Sequence, residues 1–183
     1  VGQSTIIGIS TNGMDWSESV IGYGGTINFN SVAVGGTDRF VTVGENAKAL
    51  FATGNNDSIS SWNEFRLFRE VIVFGQTVPQ IKLSTYDDTF NAALYSEQIN
   101  SWVVVGENRG LFVGAGIGAT TLLEKNPSSF GGLKAIAFNN IFTIAVGDDA
   151  SILYTNDGIV WQRVLSIPST KTLHDIIWDG NKF

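Results

Sequence analysis

One histidine, His174, stands beside Asp175 in a chain with no cysteine. Any Ser-His-Asp triad would have to use that imidazole. Its place at the start of an expected strand favours a hydrogen-bonded structural histidine instead. One imidazole cannot assemble a histidine-rich zinc site, and without thiols neither a thiolate metal site nor a disulfide framework can form. Carboxylates are the other groups with chemistry to offer. Asp87-Asp88 and Asp148-Asp149 are adjacent pairs. Neighbours in a strand point to opposite faces and could not share a proton there, whereas in a turn they could converge. Solvated turn residues are the plainer reading. Asp148, Asp149 and Asp157 would together offer oxygen ligands to a hard cation such as calcium. Gly114-Ala115-Gly116-Ile117-Gly118 has the glycine content of a phosphate loop. No Lys-Ser/Thr follows it and no helix opens behind it, so it reads as a glycine-rich turn. Asn56-Asp57-Ser58 matches a glycosylation sequon, which has meaning only in a secreted eukaryotic protein. These residues give no reason to expect a cofactor.

The elements that would position such groups repeat. A Val-Gly pair, a short polar turn, an apolar run and Asp/Asn-Gly-x-x-Trp recur along the chain. The best copies run from Val1 to Trp16 and from Val146 to Trp161, with 14 residues from glycine to tryptophan in each. Weaker copies start at Val43-Gly44-Glu45-Asn46 and Val105-Gly106-Glu107-Asn108. The anchor glycines Gly2, Gly44, Gly106 and Gly147 lie 42, 62 and 41 residues apart. A period near 41 residues carrying four short strands is the signature of a β-propeller blade. Runs such as Trp102-Val103-Val104-Val105 suit strands covered on both faces. The more polar Trp161-Gln162-Arg163-Val164 suits an outer edge strand. Asn12-Gly13 and Asp157-Gly158 supply the positive φ that a tight hairpin needs. Trp16 and Trp161 are expected to pack between blades as structural residues. No segment has the caps or the sustained period of a long helix.

The expected fold is therefore all-β: a propeller of four-stranded antiparallel blades, about four blade equivalents in one domain over 1–183. The divisions are a partial blade 1–24, blades at about 25–66, 67–125 and 126–167, and a partial blade 168–183. A fragment of a larger propeller is favoured over a closed four-bladed ring. The composition is 43% hydrophobic but only 15% charged, which suits strands joined by polar uncharged loops. A net charge of −6 and no Lys/Arg cluster argue against a nucleic-acid partner. No apolar run is long enough for a membrane-spanning helix, so no membrane insertion is expected.

The run from Phe142 to Val146-Gly147, then Ile152-Leu153-Tyr154-Thr155-Asn156-Asp157-Gly158 and Trp161, resembles the BNR or Asp-box-like propeller repeats. The resemblance covers essentially the whole chain. It is similar to the repeats of photosystem II assembly and stability factors. It is also similar to the single-glycine variant, Ser/Thr-x-Asp/Asn-Gly-x-x-Trp, of phage virion and tail proteins and bacterial surface proteins. The photosystem-type repeat and the sialidase Asp box both have a longer Asp-to-Trp spacing than the copies here, which favours the virion or surface reading. That resemblance implies a non-enzymatic structural or interaction module, part of a tail, fibre, decoration or receptor-binding assembly in a virion or at a cell surface. Its partner would be a protein or a cell-surface glycan. One alternative is a thylakoid-associated photosystem II assembly factor binding a nascent membrane subunit. The other is a sialidase-like glycoside hydrolase, which by analogy would need converging arginines. Arg39, Arg66, Arg69, Arg109 and Arg163 fall at dissimilar phases of the repeat.

The period fails once, between Gly44 and Gly106, where a surplus of roughly 20 residues lies near 64–85. Insertions in repeat proteins map to loops on one face, often the binding face. This one mixes aromatic, arginine and aliphatic residues, as interface anchors do. Phe65, Arg66, Phe68 and Arg69 are the expected partner contacts. The competing expectation is an extended outer strand buried within the same chain.

Overall fold

Short β-branched and aromatic runs cut by Gly, Asn and Asp leave the chain little choice but strands. In the computed structural model strand accounts for 51% and helix for 2%. The structure describes residues 6–10, 12–20, 26–55, 58–59, 61–73, 76–82, 88–108, 110–125, 130–164 and 170–183. Gly2, Asp87, Arg109 and most of the 56–58 sequon lie outside them. The first unit is a hairpin, β1 (Ile6–Ile9) with β2 (Ser17–Val20). The second contains β3 (Phe29–Gly35), β4 (Arg39–Gly44), β5 (Ala49–Asn55), β6 (Ser58–Ile59) and β7 (Asn63–Glu64), with β6 and β7 both on β5. Next come β8 (Arg66–Val73) and β9 (Gln76–Lys82). The third unit is β10 (Phe90–Ser96), β11 (Ser101–Gly106), β12 (Leu111–Ala115) and β13 (Thr121–Glu124). The fourth is β14 (Leu133–Phe138), β15 (Thr143–Gly147), β16 (Ile152–Thr155) and β17 (Gln162–Arg163).

Three units share one register. Phe29 faces Gly44, Phe90 faces Gly106 and Leu133 faces Gly147, and each first strand bulges at the next residue. The bulge presses the first strand onto the glycine. A Cβ on Gly44, Gly106 or Gly147 would lie 2.5 Å or less from the carbonyl oxygen of Asn28, Thr89 or Gly132. These glycines answer a close backbone approach, not a turn conformation. The same carbonyls accept the N–H of Glu45, Glu107 and Asp148. Beyond two of these glycines the turn passes through consecutive left-handed residues, Asn46-Ala47 and Asp149-Ala150. Alanine there is strained. The strain aims a buried N–H outward: Ala47 donates to the carbonyl of Asp88, and Ala150 to that of Lys171.

The units stack face to face through three apolar seams. Unit one meets unit two through Ile7, Ile27, Phe29 and Leu50, with Trp62 alongside. Units two and three meet through Val41, Val43, Phe65, Trp102, Phe112 and Leu122. Units three and four meet through Val103, Val105, Leu111, Leu153 and Trp161. On β11, Trp102 and Val104 face one neighbour while Val103 and Val105 face the other. All four are buried, which is why that strand reads as continuously apolar. The bulged residues clip the seams: Asn30 Nδ2 donates to the Phe90 carbonyl at 2.9 Å and Asn91 Nδ2 to that of Leu133 at 2.8 Å. At the next bulge stands Lys134, 3.4 Å from Glu107 and 3.6 Å from Asp148.

Three expectations need correction. Residues 173–178 form no strand: beyond the Leu173 N–H bond to Gly147 they have no ladder partner. The turn that follows does form. Asp179 accepts from the N–H of Asn181 and Lys182, as Asn139 does from Ile141 and Phe142. The surplus near 64–85 is not a loop on one face but a hairpin on an outer edge, with β8 parallel to β13 and β9 beyond it. Trp16 is not in a pocket between units. It is 67% exposed over Gly8, whereas Trp161 is 6% exposed.

Candidate partner-binding groove

The added hairpin makes the third sheet six strands wide, while its neighbour, unit four, has four. The outer part of the third sheet therefore projects beyond the seam. Along β13 the side chains alternate. Leu122 points into the seam with unit two, and Thr121 and Leu123 point toward unit four. Thr121, Leu123, Val113, Ser101 and Lys125 form one wall of a groove of about 580 Å³, and Asp157, Gly158 and Ile159 form the other.

The second wall is a rigid turn. Asp157 Oδ1 accepts from the N–H of Ile159 at 2.8 Å and of Val160 at 2.9 Å, and Thr155 Oγ1 accepts from the N–H of Gly158 at 3.0 Å. Gly158 takes φ +71°, which an L side chain would resist. The turn at Ser10 to Trp16 is built alike: Asn12 Oδ1 accepts from Met14 and Asp15, and Ser10 Oγ from Gly13. The Val160 and Ile159 N–H groups, with the Thr155 hydroxyl, hold the Asp157 carboxyl below the usual carboxylate range. Gln98 Nε2 donates to the Asn156 carbonyl, anchoring this turn to unit three. With their N–H groups drawn inward, Ile159, which lines the groove, and Val160 beside it are left 71% and 55% exposed.

The four residues expected to contact a partner separate in the structure. Phe65 is 3% exposed, edge-on to Phe51 at 4.8 Å, and belongs to the core between units two and three. It presents no surface to a partner. Arg69 pairs with Glu124, its neighbour across the strands, on the side of the sheet away from the groove. Arg66 and Phe68 lie opposite Thr121 and Leu123 in the parallel register, so they extend the groove wall outward. Arg66 is exposed and Phe68 half-buried. Arg39 supports the segment leading into this wall. Its guanidinium lies 4.1 Å from the centre of the Phe51 ring and donates to the Ala119 carbonyl at 2.7 Å. Burial lowers its pKa, against the opposing effect of Asp38.

Among the described residues these groups do not converge. Asp148 and Asp149 precede β16 and Asp157 follows it, so the three carboxylates that could have offered oxygens to calcium sit at opposite ends of a strand. Among the described residues no three His, Cys, Asp or Glu side chains group to hold a metal ion. Asp88 is 3% exposed and spends its carboxylate on the Thr89 N–H and the Asn108 amide. His174 is exposed in the segment that forms no strand. Gly114 and Ala115 end β12 and residues 116–118 form the turn beyond it, where Trp102 Nε1 donates to the Ile117 carbonyl. The register also reveals two residues that the motif search missed. Trp62 and Leu122 occupy the position of Trp161, one residue before the pair on the outer strand that faces the third strand. Longer hairpin loops move them off the 14-residue spacing, and Leu122 is not a tryptophan. Ser61-Trp62-Asn63 ahead of a short polar strand was the available signal. No protein-family model matches the chain, and no curated protein does.

Proposed function

We propose that this chain is a non-enzymatic interaction module of β-propeller architecture that binds a protein partner in the groove between the overhanging third sheet and the 155–160 turn. The observation that carries the reading is the overhang. Leu123 on one wall and Ile159 on the other bring apolar side chains to an opening that Lys125 and Asp157 also line, and Arg66 and Phe68 stand in register beside the first wall. An apolar centre with a polar rim is the anatomy of protein interfaces. The propeller assignment draws support from three units of like register meeting face to face. The setting, a phage virion or bacterial surface assembly, rests on the repeat resemblance. A photosystem assembly role or a sialidase-like activity has no specific observation in its favour.

The test uses Ile159→Asp and the double variant Arg66→Ala/Phe68→Ala, with melting temperatures checked against the parent chain. Binding to purified virion or surface-protein components should fall in both variants while stability holds. Binding that survives both substitutions, or a response confined to polysaccharides on a glycan array, would overturn the protein-groove reading.

A further inference from the structure

The groove between units three and four differs in charge from one end to the other. It follows β13 away from the 116–118 turn, and four residues of strand, about 13 Å, separate Thr121 from Lys125. Lys125 stands at the far end, where its N–H bonds the Leu111 carbonyl at the start of β12. Asp157 stands at the turn end. Gly158 lies against Ile99, Gln98 holds the Asn156 carbonyl, and the Asn100 carbonyl accepts from Gly116. Glu97 opens that same 97–100 turn and adds a second negative charge. Arg39 reaches the Ala119 carbonyl, but from the unit-two side, with its guanidinium over Phe51.

The Asp157 carboxylate is exposed and has an oxygen to offer. Among the described residues its bonds with the Ile159 and Val160 N–H groups and the Thr155 hydroxyl all fall on Oδ1, which leaves Oδ2 open. The same bonds keep the group ionised at neutral pH. The lining beside it is small: Ala115, Gly118, Ala119 and Thr120 leave room for a long side chain. Farther along, the cross-strand pair Val113 and Leu123 makes the floor apolar.

We propose that the partner enters this groove as an extended segment carrying a lysine or arginine beside a large apolar residue. The cation meets Asp157 Oδ2 above the small residues, and the apolar side chain settles on Val113 and Leu123. Charge complementarity fixes the sign, because Asp157 and Glu97 both stand at this end. A basic side chain also has an aliphatic stem to lay along the lining and a head that donates to a carboxylate. The shape favours extended chain. A helix about 10–12 Å across would fill 580 Å³ in about one turn, whereas the groove follows β13 over its whole length. The inference rests on the groove reading above and adds the charge to it.

The experiment pans the full chain against a phage-displayed library of random peptides. Recovered peptides are synthesised and measured by fluorescence anisotropy on the parent, Asp157→Asn and Ile159→Ser. Asp157→Asn keeps the turn, as Asn12 does in the matching turn of unit one, and removes only the charge. The peptides should share a lysine or arginine next to a large apolar residue. Their affinity should fall about three- to tenfold in Asp157→Asn. Replacing the basic residue by glutamine should cost the same on the parent, with no further loss when both changes are combined. Peptides weakened by Ile159→Ser that bind Asp157→Asn as tightly as the parent would overturn the cation pairing and leave the groove standing. If no recovered peptide responds to Ile159→Ser, the groove reading fails and the inference falls with it.

Discussion

Trp161 and Trp16 close turns with the same hydrogen bonds but differ tenfold in exposure, so replacing each by alanine separates local from tertiary stabilisation. Trp161 is 6% exposed and its Nε1 has no acceptor among the described residues, so alanine removes packing without orphaning an acceptor. A buried indole covers about 150–250 Å², and at about 25 cal/mol per Å² its full burial is worth roughly 4–6 kcal/mol. Alanine recovers part of that and the seam relaxes, so Trp161→Ala should cost about 3–5 kcal/mol. At roughly 2–4 °C per kcal/mol for a chain of this size, the melting temperature should fall by about 6–20 °C. Trp16→Ala removes a side chain that is already exposed and should change stability by about 0.5 kcal/mol or less. Urea unfolding followed by circular dichroism reads both. Equal losses would refute the assignment of Trp161 to a seam. A loss under about 1 kcal/mol for Trp161→Ala would do the same.

Gly147→Ala should destabilise by about 3 kcal/mol or more, because the new Cβ meets the Gly132 carbonyl. Gly13→Ala meets nothing and should cost only the strain of its positive φ, about 1–2 kcal/mol; thermal melts of the two variants compare them. Phe65→Ala should cost about 3–5 kcal/mol in chemical unfolding, whereas Phe68→Ala should cost visibly less and weaken partner binding. Asp157 has a folded pKa below its unfolded value near 3.9, so its stabilisation is complete above that pH and fades as pH falls through the lowered value. In Asp157→Asn the amide oxygen can accept the same N–H groups, as Asn12 shows. The acid limb of the melting-temperature profile below about pH 4 should therefore flatten while the neutral plateau holds.

The all-β class could be read from the sequence because turn chemistry is local. Asn12-Gly13 and Asp157-Gly158 specify their turns through one side-chain oxygen and one positive φ, whatever lies around them. Likewise Gly44, Gly106 and Gly147 each end a Val-Gly pair and face the residue just before the bulge that needs them. What could not be read depends on partners distant in the chain. The parallel pairing of β8 with β13 joins residues 66–69 to residues 121–124, and no local periodicity announces a parallel neighbour. Phe65 and Phe68 look alike in sequence, and the pairing alone sends one to the core and the other to the groove wall. The inter-unit role of Trp62 was hidden by loop length, and that of Leu122 by side-chain type.

Trp16 carries the same lesson further. Its turn, its anchoring on β1 and its phase in the repeat match those of Trp161, so nothing within sixteen residues of sequence decides its exposure. The decision lies with the neighbouring face, and a repeat supplies that face only where another unit stands beside it.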